Sequence, residues 1–395
     1  MVSLSLSEFR NYGSLRLETD ERPVVLTGPN GAGKTNLLEA VSLLTPGKGL
    51  RSAKLSEILR RPGERGERAV SAPAQSVPEA GTTWAVAGRI ATTDGVVEVG
   101  TGLAMDGGTK GRERRVVRVD GTPVRSQMDL ASILSAVWLT PRMDLIFSDS
   151  TAARRRFLDR LVFSLDPPHA RRVGKYEHTL RERTRVLRGG AVRGPKADGH
   201  WLNVLEDSMA TTGVAIAAAR REVAGRLNRV DATSQRARAF PSAEMTSTGV
   251  VEEWLDAGPA LDAEEKLRAA LRASRSRDAE TGGAAVGPHR SDVKITHGRS
   301  GLAAEHCSTG EQKALLISAI LSLARLQAAE RGSVPILLLD EIAARLDEER
   351  RCALFGNIAA IGAQAWLTGT DESVFAPLGA TAQYFHVEDA TVTPW

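Results

Sequence analysis

The segment "GPNGAGKT", Gly28 to Thr35, constrains the fold of this 395-residue chain more than any other stretch. It satisfies G-x-x-x-x-G-K-[S/T] and follows an apolar run, "PVVLT" (Pro23 to Thr27). After it, Leu37, Leu38, Val41 and Leu44 share a helical face and Pro46 marks a stop, so strand, glycine-rich loop and helix are expected in that order. Glycines let successive backbone N–H groups turn inward around a phosphate, and the helix N-terminus adds a favourable dipole. Lys34 would place a point charge on the β- and γ-phosphates, and Thr35 would ligate Mg²⁺. Gly28, Asn30, Gly31, Ala32, Gly33, Lys34, Thr35 and Asn36 are therefore the expected nucleotide contacts, with ATP and Mg²⁺ as cofactors.

With 42% hydrophobic residues the chain can bury a large core, and its length suits two or three domains. No segment offers about 18 uninterrupted apolar residues and the first residues form no basic leader, so a cytoplasmic protein with no membrane partner is expected. The two cysteines, Cys307 and Cys352, fit a reducing compartment and are expected to be buried small hydrophobes. Net charge is only +4, with nine lysines against 43 arginines. Between Thr151 and Arg193, however, twelve basic residues face four acidic ones. Such a field suits a polyanion, although a solvated helix face explains most charge runs.

Alternation of Val2, Leu4 and Leu6 with serines, and of Leu15 and Leu17 with charged residues, predicts two half-buried strands with a turn near Asn11 to Gly13. The Gly-, Pro- and Ser-rich stretch 47–81 reads as a surface excursion. Strands are expected again from Thr82 to Val124, with a hairpin at Asp120-Gly121. From Thr151 to Arg277 the pattern is helical, interrupted by "GGAVRGPKADGH". The last third returns to α/β: a helix from Ser308, the strand "VPILLLD", the helix "EIAARLDEERRCALFGNIAAI" and the strand "QAWLTGTD".

Three short segments complete the constellation. "ILLLDE" ends a buried strand in Asp340, placed to hold Mg²⁺, and Glu341, placed to accept a proton from an attacking water. "CSTGEQ" starts a helix with Ser308 as N-cap and Glu311 closing a capping box. Gly310 in its first turn costs about 1 kcal/mol relative to alanine, which suggests close approach of something to the backbone. "ARLD" places Asp347 shortly after Glu341.

The order of these segments resembles that of the ATP-binding-cassette ATPases. The resemblance implies that Ser308 and Gly310 bind the γ-phosphate of ATP held by a second subunit, with Glu311 and Asp347 also part of the nucleotide site, and that Arg10 and Asn11 approach the nucleotide. Where such ATPases carry a histidine after the last strand, "LTGTDESVF" offers Thr368 or Thr370, with Thr370 taken as the site residue; slow hydrolysis would suit this group. The stretch Pro141 to Asp144 has no glutamine where one is usual. A gap of 273 residues between Thr35 and Ser308 is too long for a transporter ATPase. The longest periodic stretch, Leu202 to Val230, spans only about 42 Å, far short of an SMC-like coiled coil. A short helical insert resembles the RecF family of bacterial replication and gap-repair ATPases. "EFRNY", "RRRFLD" after "LTPRMDLI", and "VGPHRSD" match that family in order. His289 and Arg290 either close a turn or serve the function.

The expected fold is thus α/β, an ABC-type ATPase head (P-loop core with an antiparallel β-subdomain) interrupted by a helical lid domain. Residues 1–150 and 281–395 would form the two head halves, and 151–280 the Arg-rich lid. The resemblance implies an ATP-dependent homodimer that binds DNA at single-strand gaps and junctions, works with RecR and RecO, and helps load RecA. Arg154, Arg155 and Arg156 are the expected DNA contacts. An SMC-like scaffold and a transporter-associated ATPase are the alternatives.

Overall fold

The computed structural model describes residues 1–60, 82–105, 113–193, 199–233 and 239–395. They form two compact units, Met1–Met143 with Gln327–Trp395, and Asp144–Leu326.

The first unit opens with β1 (Ser3–Phe9) and β2 (Tyr12–Glu18), then β3 (Val24–Thr27), the glycine-rich loop and α1 (Lys34–Leu43). Next come β4 (Thr82–Thr92), β5 (Gly95–Met105), β6 (Glu113–Val119), β7 (Thr122–Pro123) and β8 (Ala136–Leu139). Between β1 and β2 the chain turns at Arg10-Asn11, a little earlier than expected, with Arg10 in a left-handed conformation (φ 54°). The β6–β7 hairpin has positive φ at both Asp120 and Gly121, as a type I′ turn demands. These strands make an antiparallel sheet in the order β2-β1-β4-β5-β6-β7.

In the second unit lie α2 (Thr151–Leu165), α3 (Pro168–Arg193), α4 (Gly199–Thr233), β9 (Ala243–Thr248), α5 (Val250–Ala257), α6 (Ala260–Ala273), α7 (Arg275–Thr281) and β10 (Asp292–His297). Helix α8 (Thr309–Arg331) begins there and ends in the first unit, which is completed by β11 (Ile336–Leu339), α9 (Glu348–Ile361), β12 (Ala365–Thr368), β13 (Gln383–Glu388) and β14 (Thr391–Pro394).

The first unit's second sheet runs β14-β13-β3-β12-β11-β8, parallel throughout except for β14 at its edge. Strands β3, β11 and β12 are buried at every position, which is why their sequences read as continuous apolar runs rather than alternations. Because β12 lies between β3 and β11, the loop after β3 and the acids after β11 emerge at the same edge, on either side of Thr368. Helix α1 packs on both sheets, and Leu37, Leu38, Val41 and Leu44 join Leu4, Leu26, Trp84, Val99 and Trp366 in one core.

Arg115 on β6 fixes the far end of α1. Its guanidinium donates to the carbonyls of Leu43, Thr45 and Gly47, to Gln127 Oε1 and to Thr101 Oγ1. A cation there meets the negative end of the helix. Burial pushes its pKa down to about 10.

The second unit has its own core, with Tyr176, Met209, Val214, Ile216, Leu267 and Leu271 buried together. Beside it, Arg183 is fully buried and donates to Glu206 (3.0 Å), Asp278 (2.8 Å) and the Leu271 carbonyl (2.6 Å), while Arg275 donates to Glu206 Oε1 at 2.9 Å. The two arginines balance the two acids, so the charges of this cluster compensate one another.

Several expectations need correction. The stretch read as helical throughout contains β9, whose residues alternate buried and exposed while pairing antiparallel with β10. Helix α3 continues through Gly189 and Gly190 to Arg193. The helix read from Glu341 starts only at Glu348, because the Asp347 side chain accepts a bond from Arg350 N and caps it there. Cys307 is buried but Cys352 is exposed. Of the expected excursion 47–81, residues 61–81 lie outside the described residues. Among the described residues no helix is long and apolar enough to cross a membrane.

Candidate active site

At the edge where β3 ends, Gly28, Gly31 and Gly33 all have positive φ (138°, 83° and 117°), a path that only glycine follows without strain. A Cβ at Gly28 would strike the Val387 carbonyl, and one at Gly33 would lie 2.5 Å from Asn11 Nδ2 and 2.6 Å from the Tyr12 hydroxyl. Asn30 and Gly31 form the exposed tip and Ala32 is buried. The first turn of α1 follows directly, with the N–H groups of Asn36 (2.9 Å) and Leu37 (3.2 Å) both donating to the Gly33 carbonyl; in any helix the first N–H groups lie ahead of the intrahelical ladder and point outward toward a ligand. Lys34 folds back over the loop and donates to the carbonyls of Gly28 (2.6 Å) and Pro29 (2.8 Å). Burial lowers its pKa, opposed by the nearby carboxylates of Glu341 and Asp340.

Thr35 Oγ1 donates to Asp340 Oδ1 at 2.8 Å, and Thr368 Oγ1 donates to the same oxygen at 2.9 Å. The Thr368 hydroxyl also accepts from Glu341 N at 2.9 Å. Glu341 has φ 54°, a conformation costly for a residue with a Cβ, and its carboxylate lies 3.4 Å from Arg345 Nη2. A hydroxyl and a carboxylate held this close are the hard oxygen donors that Mg²⁺ selects.

A polar network braces the loop's other flank. Asn11 Nδ2 donates to the Ala32 carbonyl (3.0 Å), and Asn36 Nδ2 donates to Asn11 Oδ1 (2.7 Å). Arg10 makes a two-pronged pair with Glu39 (2.8 and 2.6 Å), and Arg51 Nη1 donates to both Glu39 (2.8 Å) and Asn36 (2.6 Å). Glu39 is buried, so two arginines are held at the loop by one carboxylate. Neither Glu39 nor Arg51 was anticipated. The signal for Glu39 was an acid within the apolar run "NLLEAVSLL", where a charge needs a partner.

The remaining site residues stand as follows. Thr370 is exposed, whereas Thr368 is buried against Asp340 and Glu341. Asp347 caps α9. In the second unit Ser308 and Glu311 form the expected capping box: Glu311 Oε2 accepts from Ser308 N (2.8 Å) and Ser308 Oγ accepts from Glu311 N (3.3 Å). Ser308 and Gly310 are exposed at this helix start. Arg154 pairs with Asp292 through two 2.9 Å bonds, Arg155 donates to the Ser291 carbonyl at 2.7 Å, and Arg156 is exposed. His289 closes a turn, with its ring between the Tyr176 hydroxyl (2.8 Å) and the Ala284 carbonyl (3.0 Å).

A family described as "RecF/RecN/SMC N terminal domain" matches residues 1–393. The chain is 44% identical over 390 residues to the DNA replication and repair protein RecF of Rhizobium rhizogenes (strain K84), covering 99% of this chain and 97% of that one. The chain belongs to the RecF family. A solved structure of the recombination mediator protein RecF-ATPrS in the RecFOR pathway superposes with a TM-score of 0.81 at 22% identity, over 100% of this chain and 97% of that one. The Smc head domain with an extended coiled coil from Pyrococcus furiosus, bound to the C-terminal domain of ScpA, gives 0.51 at 14% identity, over 100% and 95%. The fold is therefore the ATPase head shared by RecF and SMC proteins, as the motif order implied.

Proposed function

We propose that this RecF-family protein is a Mg²⁺-dependent ATPase that binds DNA in replication and repair. The observation that carries the reading is the joining of Asp340 to Thr35 beside Lys34, with Glu341 next in the chain. The loop N–H groups and Lys34 would hold the phosphates, and Thr35 and Asp340 would hold Mg²⁺, which supplies positive charge against the phosphate oxygens. Glu341 would accept the proton of the attacking water. Arg10, Asn11 and Asn36 would complete the nucleotide pocket.

Two copies would close over two ATP molecules, each bound by one P-loop and by Ser308 and Gly310 of the other copy, with Glu311 beside them. Gly310 leaves room for a phosphate, and the positive end of α8 faces it. Hydrolysis would remove the γ-phosphate contacts and reopen the pair. DNA would be held through its backbone, with steep salt dependence and little base preference. The same reading includes binding at gaps and junctions, work with RecR and RecO, and help in loading RecA, as the family resemblance implies. A role as an SMC-like scaffold is disfavoured by α4, whose 35 residues span only ~52 Å.

Sedimentation of wild type and Ser308→Arg, with and without ATP and Mg²⁺, tests this, followed by binding to a gapped duplex. ATP should pair only the wild type, and DNA binding should track the pair. Equal pairing by the variant would reduce Ser308 to a helix cap and remove the two-copy mechanism.

A further inference from the structure

We infer that Thr368 is a positioning residue for hydrolysis, holding the proton acceptor and the metal-binding acid in register through one hydroxyl. This rests on the proposed ATPase reading. Thr368 ends β12, the strand between the one that launches the P-loop and the one that launches Asp340. It is only 1% exposed.

A hydroxyl has one proton to give and lone pairs to accept with. Here the proton goes to Asp340 Oδ1 (2.9 Å), and the oxygen accepts the Glu341 N–H (2.9 Å). Thr35 donates to the same Oδ1, so two hydroxyls, one from the first turn of α1 and one from the end of β12, fix the rotation of the Asp340 carboxylate.

At Glu341 the consequence is larger. Its backbone is left-handed (φ 54°), a conformation that disfavours any residue with a Cβ and persists only where the surroundings enforce it. The bond to Thr368 is such a constraint, and it acts at the N–H of the strained residue itself. Because φ sets the direction of the Cα–Cβ bond, releasing that N–H lets the backbone relax and turns the carboxylate away from its working direction. Thr368 already spends its proton on Asp340, so it serves the acids and not a phosphate.

The test uses the full chain as wild type, Thr368→Val and Thr368→Ser. Three quantities are read: steady-state ATP hydrolysis, equilibrium binding of a fluorescent ATP analogue with Mg²⁺, and thermal melting. Valine keeps the shape and deletes both bonds. Its kcat should fall about 10- to 100-fold, the usual loss when a ligand's supporting partner is removed. Analogue affinity should stay within about threefold of wild type, because Thr35 still holds the same Asp340 oxygen and the loop and Lys34 hold the phosphates. Serine, which keeps the hydroxyl, should recover most of the rate. Thr368→Ala reads the same loss should the valine variant fail to fold. Wild-type turnover in the valine or alanine variant would sink the proposal alone, as would a parallel loss of rate and affinity that serine does not repair. A wild type that binds the analogue without hydrolysing it would sink the ATPase reading and this proposal together.

Discussion

Thr35, in the first turn of the P-loop helix, donates a 2.8 Å hydrogen bond to Asp340, 305 residues later in the chain. The bond exists because β3 and β11 flank β12 in a parallel sheet, so their C-terminal ends open on one crevice, where ligands of open α/β sheets bind. Chemistry split between the two ends of the sequence is thereby assembled at one strand edge.

Lys34→Met should separate the charge of the loop from its packing. Methionine fills much the same volume, and the relieved cost of burying an ammonium offsets the loss of its bonds to the Gly28 and Pro29 carbonyls, so the melting temperature should change little. Nucleotide affinity should drop by about 10- to 100-fold, the worth of a charge-assisted contact. Undiminished binding in a nucleotide titration would remove Lys34 from the phosphate site.

The sequence located Lys34, Thr35, Asp340 and Glu341 because each belongs to a local motif whose flanks carry the test of their own context. It did not reveal Glu39 or Arg51, because their partnership joins the middle of α1 to a loop and leaves no spacing rule behind. It offered both Thr368 and Thr370 and favoured Thr370, since a two-residue offset at a strand end is invisible until the strand's last residue is known. Folding separates them: Thr368 closes β12 and turns inward, and Thr370 lies beyond the strand in solvent. Strand β9 escaped for a related reason. "AEMTST" alternates only weakly in hydrophobicity, and its pairing partner β10 lies some 45 residues away along the chain, where no local rule reaches.

Arg115→Ala should destabilise the first unit. Its five side-chain bonds cap the end of α1, and their loss strands the carbonyls of Leu43, Thr45 and Gly47. Partial water access softens the penalty, leaving about 2 to 4 kcal/mol in urea unfolding. A loss below about 0.5 kcal/mol, the range of ordinary surface changes, would show that α1 ends without this brace.

The three arginines at the start of α2 should behave differently from one another. Arg154→Ala breaks the two-pronged pair with Asp292 and should lower stability by about 1 to 3 kcal/mol, with a weaker, indirect effect on DNA. Arg156→Ala touches no such pair and should leave melting unchanged. If Arg156 meets a phosphate, its loss reduces the salt slope of DNA binding by about 0.9. An unchanged slope assigns Arg156 to solvent, and a large change in melting contradicts its exposed position.

His289 gives the second unit a pH signature of its own. Burial pushes its pKa down from 6.5 to about 4, against the opposing pull of the Ala284 carbonyl. Between those values the unfolded chain binds a proton that the folded chain refuses, so folding is at full strength above about 6.5 and weakens as pH falls toward 4. The shift corresponds to roughly 3 kcal/mol at the bottom of that window. Asp159 and Asp292 act lower. Burial tends to raise each, but His169 and Arg220 for Asp159, and Arg154 for Asp292, hold them below 3.8, so their contributions are lost only as pH falls past that value. His289→Gln keeps an amide that can still serve Tyr176 and Ala284 but cannot titrate. Urea midpoints at pH 7, 6 and 5 should therefore decline more steeply in the wild type than in the variant, whose remaining slope includes the Met1 amine, lowered by burial from 8.0 to about 6. Equal slopes would mean that the proton enters elsewhere and that the turn around His289 opens before its ring is charged.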